Sequence, residues 1–241
     1  MTPRTREGSQ NAYARFAGVM YFFTVFDVTG VVIAARVSGT GNFLATAHSV
    51  AASDALYRIG LVSGLVGNMS TILLAVGLYV TLRPVDRNLA MTALLFRLAE
   101  STIGGMVVVF GFATLQIYLD ANHTTAFDAN QLGALADLVS RLSGAGTNVS
   151  VVFFSLGSAL FFYLFLRSAY IPRVLAVWGL LGSLFCMGAF AANLLLPQSS
   201  ELLLGVGALP IGIAEPVVGL WLLIRGIDLH QQVSRPLGSE A

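Results

Sequence analysis

The sequence contains no lysine, few charges of either sign and one cysteine. Only 10% of its 241 residues are charged, whereas an ordinary soluble domain carries about 25%. A net charge of +1 excludes the extended basic field of nucleic-acid-binding proteins, so we expect no nucleic-acid partner. The single Cys186 excludes an internal disulfide and any multi-cysteine metal site. Because His48, His123 and His230 also lack metal-ligand spacing, we expect no metal and no cofactor.

Long apolar stretches take the place of those charges. Hydrophobic residues make up 56% of the chain, and six stretches are close to or longer than the roughly 20 residues that cross a bilayer. They are Phe16–Ala35, Ile59–Leu82, Leu89–Leu119, Val149–Leu166, Val174–Leu196 and Leu202–Ile224. The sequence therefore predicts an all-α, six-helix transmembrane bundle. We expect residues 13–227 to form this single domain, between cytoplasmic tails at 1–12 and 228–241.

The segments between the spans give further expectations. Residues 36–53 are mostly small, which predicts a loop, and Asp54 is placed to cap the second span. Arg83–Asp86 predicts a tight turn, after which Asn88 is placed to cap the third span. Pro197 is expected to end the fifth span.

One further segment, Asn130–Ala145, predicts an amphipathic helix rather than a span. Its leucines and valine recur at helical spacing, and Asp137 and Arg141 are four residues apart, which suits an ion pair. We expect this helix to lie at the membrane interface. Gly144 and Gly146 are expected to separate it from the fourth span.

The arginines predict the orientation of the chain. If the N-terminus is cytoplasmic, nine of the thirteen arginines fall on the cytoplasmic side, which is the usual bias of membrane proteins. Three spans that end on this side finish with an aromatic residue and, four positions later, an arginine. These pairs are Tyr79 and Arg83, Tyr163 and Arg167, and Trp221 and Arg225. An aromatic ring at the headgroup level followed by a snorkelling arginine is typical of an interfacial anchor, so we expect both termini to be cytoplasmic.

Several of these segments resemble a known bacterial family. They are Leu78–Ala90 (LYVTLRPVDRNLA), Phe96–Glu100 (FRLAE), Leu166–Leu175 (LRSAYIPRVL) and Trp221–Gly226 (WLLIRG). Their order and content are similar to the bacterial domain-of-unknown-function family 4386, and the similarity runs from about Arg15 to Ile227. The resemblance implies a bacterial multi-pass protein, which we expect in the cytoplasmic (inner) membrane. It supplies no activity, substrate or catalytic residue.

Four ionisable residues lie inside the predicted spans: Asp27, Arg97, Glu100 and Glu215. At about 1.5 Å of rise per residue, all four lie about 12–16 Å from the cytoplasmic ends of their spans. That depth is near the middle of a hydrocarbon core about 30 Å thick. Charged groups at this depth are costly, and they usually face other protein groups. We therefore expect the first, third and sixth spans to meet around a shared polar centre, which is the candidate ligand- or proton-binding site.

The charge balance of this centre predicts ion pairing and a bound proton. Arg97 stays charged, so three ionised acids would leave two negative charges uncompensated in a low dielectric. We expect Arg97 to pair with Glu100 or Glu215, and another acid to hold an exchangeable proton. Pro210 and Pro216 each remove a backbone amide from the sixth span, which predicts a kink. The freed carbonyls beside Glu215 would either line a binding site or reflect helix packing alone.

Three functions fit these features. The leading one is the binding of a small or lipophilic molecule, or the relay of a proton, during transport or sensing. The alternative is an intramembrane enzyme acting on a lipid or isoprenoid, with Glu100 or Glu215 as general acid and Arg97 holding an anionic group. The third is an accessory subunit whose polar centre only specifies helix packing. The lipid bilayer is the expected partner in each case, and the sequence leaves the oligomeric state open.

Overall fold

The structure, a computed structural model, describes residues 3–39, 41–121, 127–196 and 201–228, and within these ranges it contains helices and no strand. The helices are α1 (Pro3–Phe23), α2 (Val25–Ser38), α3 (Phe43–Ala52), α4 (Asp54–Leu82), α5 (Arg87–Asp120), α6 (Ala129–Ser168), α7 (Arg173–Leu195) and α8 (Glu201–Ile224). Six segments of the described chain are long and apolar enough to cross a membrane: Gly8–Ser38, Asp54–Leu82, Arg87–Asp120, Ala129–Ser168, Arg173–Leu195 and Gly205–Ile224. The all-α, six-helix architecture is confirmed, and the chain is a multi-pass membrane protein.

The first span differs from its prediction at both ends and in the middle. It is built from α1 and α2, which are separated by a break at Thr24. Helix α1 begins at Pro3, inside the segment expected to be a tail. Polar side chains near its start have partners elsewhere in the chain. Gln10 donates to the Thr81 carbonyl at 2.7 Å, and Asn11 accepts from the Ile227 amide at 3.1 Å.

The loop predicted over residues 36–53 is wrong, because this connection contains helix α3. Asn42 caps the helix by accepting a hydrogen bond from the Ala45 amide at 2.9 Å. Ala47 and Val50, three residues apart, are buried on one face. The Asn42 cap and the short buried face therefore stabilise a helix in a segment whose small side chains had predicted a loop.

The turn at Arg83–Asp86 is confirmed, but its capping residue is not the predicted one. Oδ1 of Asp86 accepts hydrogen bonds from the amides of Asn88 and Leu89, at 3.1 and 3.0 Å. The helix begins at Arg87, so Asn88 is already inside it and cannot be the cap. Asp54, expected to precede the second span, is instead the first residue of α4, and its carboxylate pairs with Arg58 at 2.8 Å.

The predicted break before the fourth span is also wrong. The amphipathic segment is helical and carries the expected ion pair, with 2.9 Å between Arg141 Nη2 and Asp137 Oδ2. It continues without interruption into the fourth span, and α6 is 40 residues long. A glycine inside a helix costs only about 1 kcal/mol relative to alanine, which is too little to end a long helix. A Cβ at Gly146 would lie 2.9 Å from a methyl group of Val107, so the glycine admits a close neighbour.

The last two spans agree with their predicted positions. Helix α7 ends at Leu195, and Pro197 lies outside the described residues. Helix α8 includes Pro210 and Pro216 and is helical through both of them, and the kink expected there stays a prediction.

The chain divides into two compact units, and four of the helices contribute to both. The first unit draws on Met1–Phe22, Thr71–Glu100 and Val151–Ala241, and the second on Phe23–Ser70 and Ser101–Ser150. Each unit has its own buried cluster, which includes Leu74, Phe165 and Leu222 in the first and Val50, Tyr57 and Leu115 in the second.

Glycine permits the closest helix contact within the first unit. A Cβ on Gly18 would lie 2.7 Å from the Gly219 carbonyl oxygen and 2.7 Å from the Leu223 amide nitrogen. Helices α1 and α8 therefore approach backbone to backbone, as small residues allow in membrane proteins.

Candidate functional site

The guanidinium of Arg97 lies between two carboxylates that come from different helices. Arg97 and Glu100 are three residues apart on α5, and 3.2 Å separate Nη1 of the arginine from Oε2 of the glutamate. Glu215 on α8 places its Oε1 3.9 Å from the same Nη1. The Arg97 side chain is only 2% exposed. The structure thus brings together three of the four ionisable residues that the sequence singled out.

Ser158 of α6 connects Arg97 to Glu215. Nη1 of Arg97 donates to the Ser158 hydroxyl at 3.2 Å, and that hydroxyl donates to Oε1 of Glu215 at 2.9 Å. The chain of hydrogen bonds therefore runs across α5, α6 and α8, and Ser158 is itself buried. No sequence motif indicated this residue.

Two neighbours of Ser158 shape the rest of the arginine pocket. The guanidinium carbon of Arg97 lies 4.7 Å from the centre of the Phe154 ring, which is a cation–π geometry. A Cβ on Gly157 would lie 2.9 Å from both Cγ and Cδ of Arg97, so the arginine stem occupies the space that a side chain would fill. Phe154, Gly157 and Ser158 recur at i, i+3 and i+4 on one face of α6. A small and a polar residue next to each other in the mostly apolar stretch 151–166 of α6 were the available signal.

The two carboxylates are less deeply buried than the arginine. The side chains of Glu100 and Glu215 are 15% and 12% exposed. Nε of Arg97 is buried and has no hydrogen-bond acceptor among the described residues. Tyr21 of α1 is also buried within the first unit. With both acids ionised this group carries one net negative charge, and with one proton bound it is neutral.

Asp27 belongs to the second unit, where it has a different partner. Its Oδ1 accepts a hydrogen bond from Nδ2 of Asn68 at 3.3 Å, and the same amide group donates to the Gly64 carbonyl at 2.9 Å. Asp27 is exposed, and a Cβ on Gly67 would lie 2.5 Å from its amide nitrogen. The role of Asp27 in a shared site with Arg97 stays a prediction.

The two prolines of α8 lie on either side of Glu215 in the sequence. Pro216 follows Glu215 directly and is exposed, and Pro210 is partly buried. Each lacks the amide that would bond the carbonyl four residues earlier. Their part in ligand binding stays a prediction. The described residues contain no group of three or more histidine, cysteine, aspartate or glutamate side chains able to hold a metal ion.

A family model, described as a domain of unknown function (DUF4386), matches residues 16–226. The chain belongs to the DUF4386 family. The match confirms the family that the sequence motifs indicated, and it covers all four ionisable residues of the spans. No curated protein and no solved structure matches the chain. The family description names no activity for this DUF4386 member.

Proposed function

We propose that this integral membrane protein handles protons or small molecules at the Arg97, Glu100 and Glu215 cluster, during transport or sensing in a bacterial inner membrane. The observation that carries the proposal is the position of Nη1 of Arg97, which lies within 4 Å of carboxylates from two different helices. Ionisable groups inside membrane spans are rare and mark ion or substrate pathways.

Charge balance supports a bound proton. One guanidinium compensates one carboxylate, so a second ionised carboxylate leaves an unpaired charge in a medium where such a charge is costly. Binding a proton, or a small cation in its place, neutralises the group. Losing that proton restores the net negative charge, which makes the cluster a two-state element.

The exposure of the carboxylates supports exchange with a ligand. Here Arg97 is 2% exposed while Glu100 is 15% exposed. The acid side chains are therefore more exposed than the guanidinium, while Oε2 of Glu100, the atom that faces Arg97, is itself buried.

Proton flux into proteoliposomes tests the transport part of the proposal. Wild type, Glu100→Gln and Glu215→Gln would be reconstituted with an internal pH-sensitive dye and exposed to an external acid step. Wild type is expected to acidify the lumen faster than protein-free vesicles, and the variants are expected to lose that excess. Asp137→Asn is the matched control, because it removes an exposed carboxylate of α6 and leaves the cluster intact.

Two results would count against the proposal. In the first, the glutamine variants conduct like wild type. In the second, all proteins match empty vesicles and native mass spectrometry finds no small molecule retained by wild type and lost in the variants. A cluster that serves packing alone would instead reduce the yield of folded protein without changing the flux per folded molecule.

A further inference from the structure

A cleft lies where three spanning helices end, at the junction of α6 and α7 and beside the last turn of α8. It has a volume of about 590 Å³ and is lined by Ala169, Tyr170, Ile171, Pro172, Arg173, Trp221 and Asp228. This volume falls within the range of about 300–1,000 Å³ typical of small-molecule sites. The Arg97 cluster contributes no residue to it, so the cleft is a separate candidate site.

The floor of the cleft is fixed by hydrogen bonds. Tyr170 is 1% exposed, its hydroxyl accepts from Gln10 at 3.1 Å, and its carbonyl accepts from the Asp228 amide at 3.1 Å. Ala169 ends α6 in a left-handed conformation with φ of 54°, which turns the chain sharply into this floor. A cleft held in this way is already formed before a ligand arrives, which lowers the entropic cost of binding.

The cleft carries charges of both signs together with aromatic surface. Arg173 and Asp228 both line it, and both residues are exposed. Among the described residues Arg173 makes no ion pair. The ring of Trp221 forms part of the wall, and the guanidinium carbon of Arg225 lies 5.9 Å from its centre. A ligand that complements this lining carries both an anionic and a cationic group.

We propose that this cleft binds the headgroup of a zwitterionic phospholipid, with its phosphate on Arg173 and its ammonium on Asp228. Arginine pairs well with phosphate oxygens, and a primary ammonium can donate to a carboxylate. The cleft lies at the ends of apolar helices, at the level where lipid headgroups and interfacial tryptophan and arginine side chains are found. A soluble phosphate ester carrying an amine shares this chemistry, so the test has to separate the two sources.

Lipid titration of delipidated protein, followed by native mass spectrometry in detergent, tests the proposal. The probes are phosphatidylethanolamine, phosphatidylglycerol and soluble phosphoethanolamine. Wild type is expected to bind phosphatidylethanolamine most tightly. Arg173→Gln is expected to lower the affinity for phosphatidylethanolamine and for phosphatidylglycerol at least fivefold. Arg173→Lys is expected to retain most of the affinity. Asp228→Asn is expected to abolish the preference for the zwitterionic lipid. The controls are Arg141→Gln and Asp137→Asn, an exposed pair of the same residue types on α6.

The outcomes separate the alternatives. Equal lipid affinities for Arg173→Gln and Arg141→Gln would overturn the site, and so would an unchanged lipid preference in Asp228→Asn. Phosphoethanolamine that competes as effectively as the diacyl lipid would overturn the assignment to a membrane lipid. None of these measurements depends on proton or ligand handling at Arg97, so a failure here leaves the proposed function untouched.

Discussion

The hydroxyl of Ser158 donates a hydrogen bond to Oε1 of Glu215 at 2.9 Å while accepting one from Arg97. The direct distance between Arg97 Nη1 and Glu215 Oε1 is 3.9 Å, which is long for a charge-assisted hydrogen bond. The serine therefore completes the connection between the third and sixth spans.

Replacing Ser158 with alanine is expected to destabilise the protein by about 1 kcal/mol, because Glu215 loses its closest donor inside the membrane. Unfolding in mixed micelles would measure this change. Ser183→Ala is the control, since Ser183 is equally buried but donates only to the Gly179 carbonyl of its own helix. A cost no larger than that of the control would show that the Ser158 bridge is not formed in the membrane.

A pair of glycines on α6 tests how Arg97 is packed. Gly157→Ala would place a methyl group 2.9 Å from two carbons of Arg97 and 3.2 Å from the Ala93 carbonyl oxygen. We expect it to cost about 1–3 kcal/mol through overpacking. Gly144→Ala, on the same helix with no atom within 4 Å, is expected to stabilise the protein by about 0.4–1 kcal/mol. Changes in thermal stability of opposite sign for the two variants would support the packing of Arg97 against Gly157. Equal changes would contradict it.

A double-mutant cycle tests the ion pairing of Arg97. Arg97→Gln is expected to cost about 3–5 kcal/mol, because it leaves buried carboxylates without their cation. Adding Glu215→Gln removes one of those carboxylates, so the double variant is expected to be less unstable than Arg97→Gln alone. Unfolding free energies that add without an interaction term would show that the two residues are not coupled.

The capping residue of α5 can be tested in the same way. Asp86→Ala is expected to cost about 0.5–2 kcal/mol, and Asn88→Ala much less, because the Asp86 carboxylate accepts hydrogen bonds from two amides of the first turn. Asp86 also lies 3.4 Å from Arg167. Asp86→Asn retains an acceptor and removes the charge, so it separates the cap from the ion pair. A larger loss in Asn88→Ala would restore the cap predicted from the sequence.

Spacing and hydropathy predicted the features that depend on one helix at a time. The six spans follow from apolar length, and the shared face of Arg97 and Glu100 follows from a separation of three residues. The aromatic and arginine pairs at the span ends are also local. In the structure Arg167 stands 6.0 Å from the ring centre of Tyr163, and Arg225 stacks similarly on Trp221.

The contacts that could not be predicted from the sequence are those between helices. In the sequence, nothing distinguishes Gly157 from the other glycines of the spans. In the structure, the Arg97 side chain occupies the space that a side chain at position 157 would need. The role of Ser158 depends on partners from other helices: its hydroxyl accepts from Arg97 on α5 and donates to Glu215 on α8. Helix α6 continues through Gly144, where the sequence predicted a break. A glycine inside a helix costs about 1 kcal/mol, and the packing of a long helix outweighs that cost.

Infrared difference spectroscopy of the protein in bilayers tests the central claim most directly. The claim is that Arg97 compensates one of two acids, Glu100 and Glu215, while the other exchanges a proton. A titration should then show a protonated-carboxyl band that is lost on raising the pH, and this band should be absent from the Glu100→Gln, Glu215→Gln double variant. If the band survives in the double variant, or disappears only in Asp27→Asn, the account of the Arg97 cluster is contradicted.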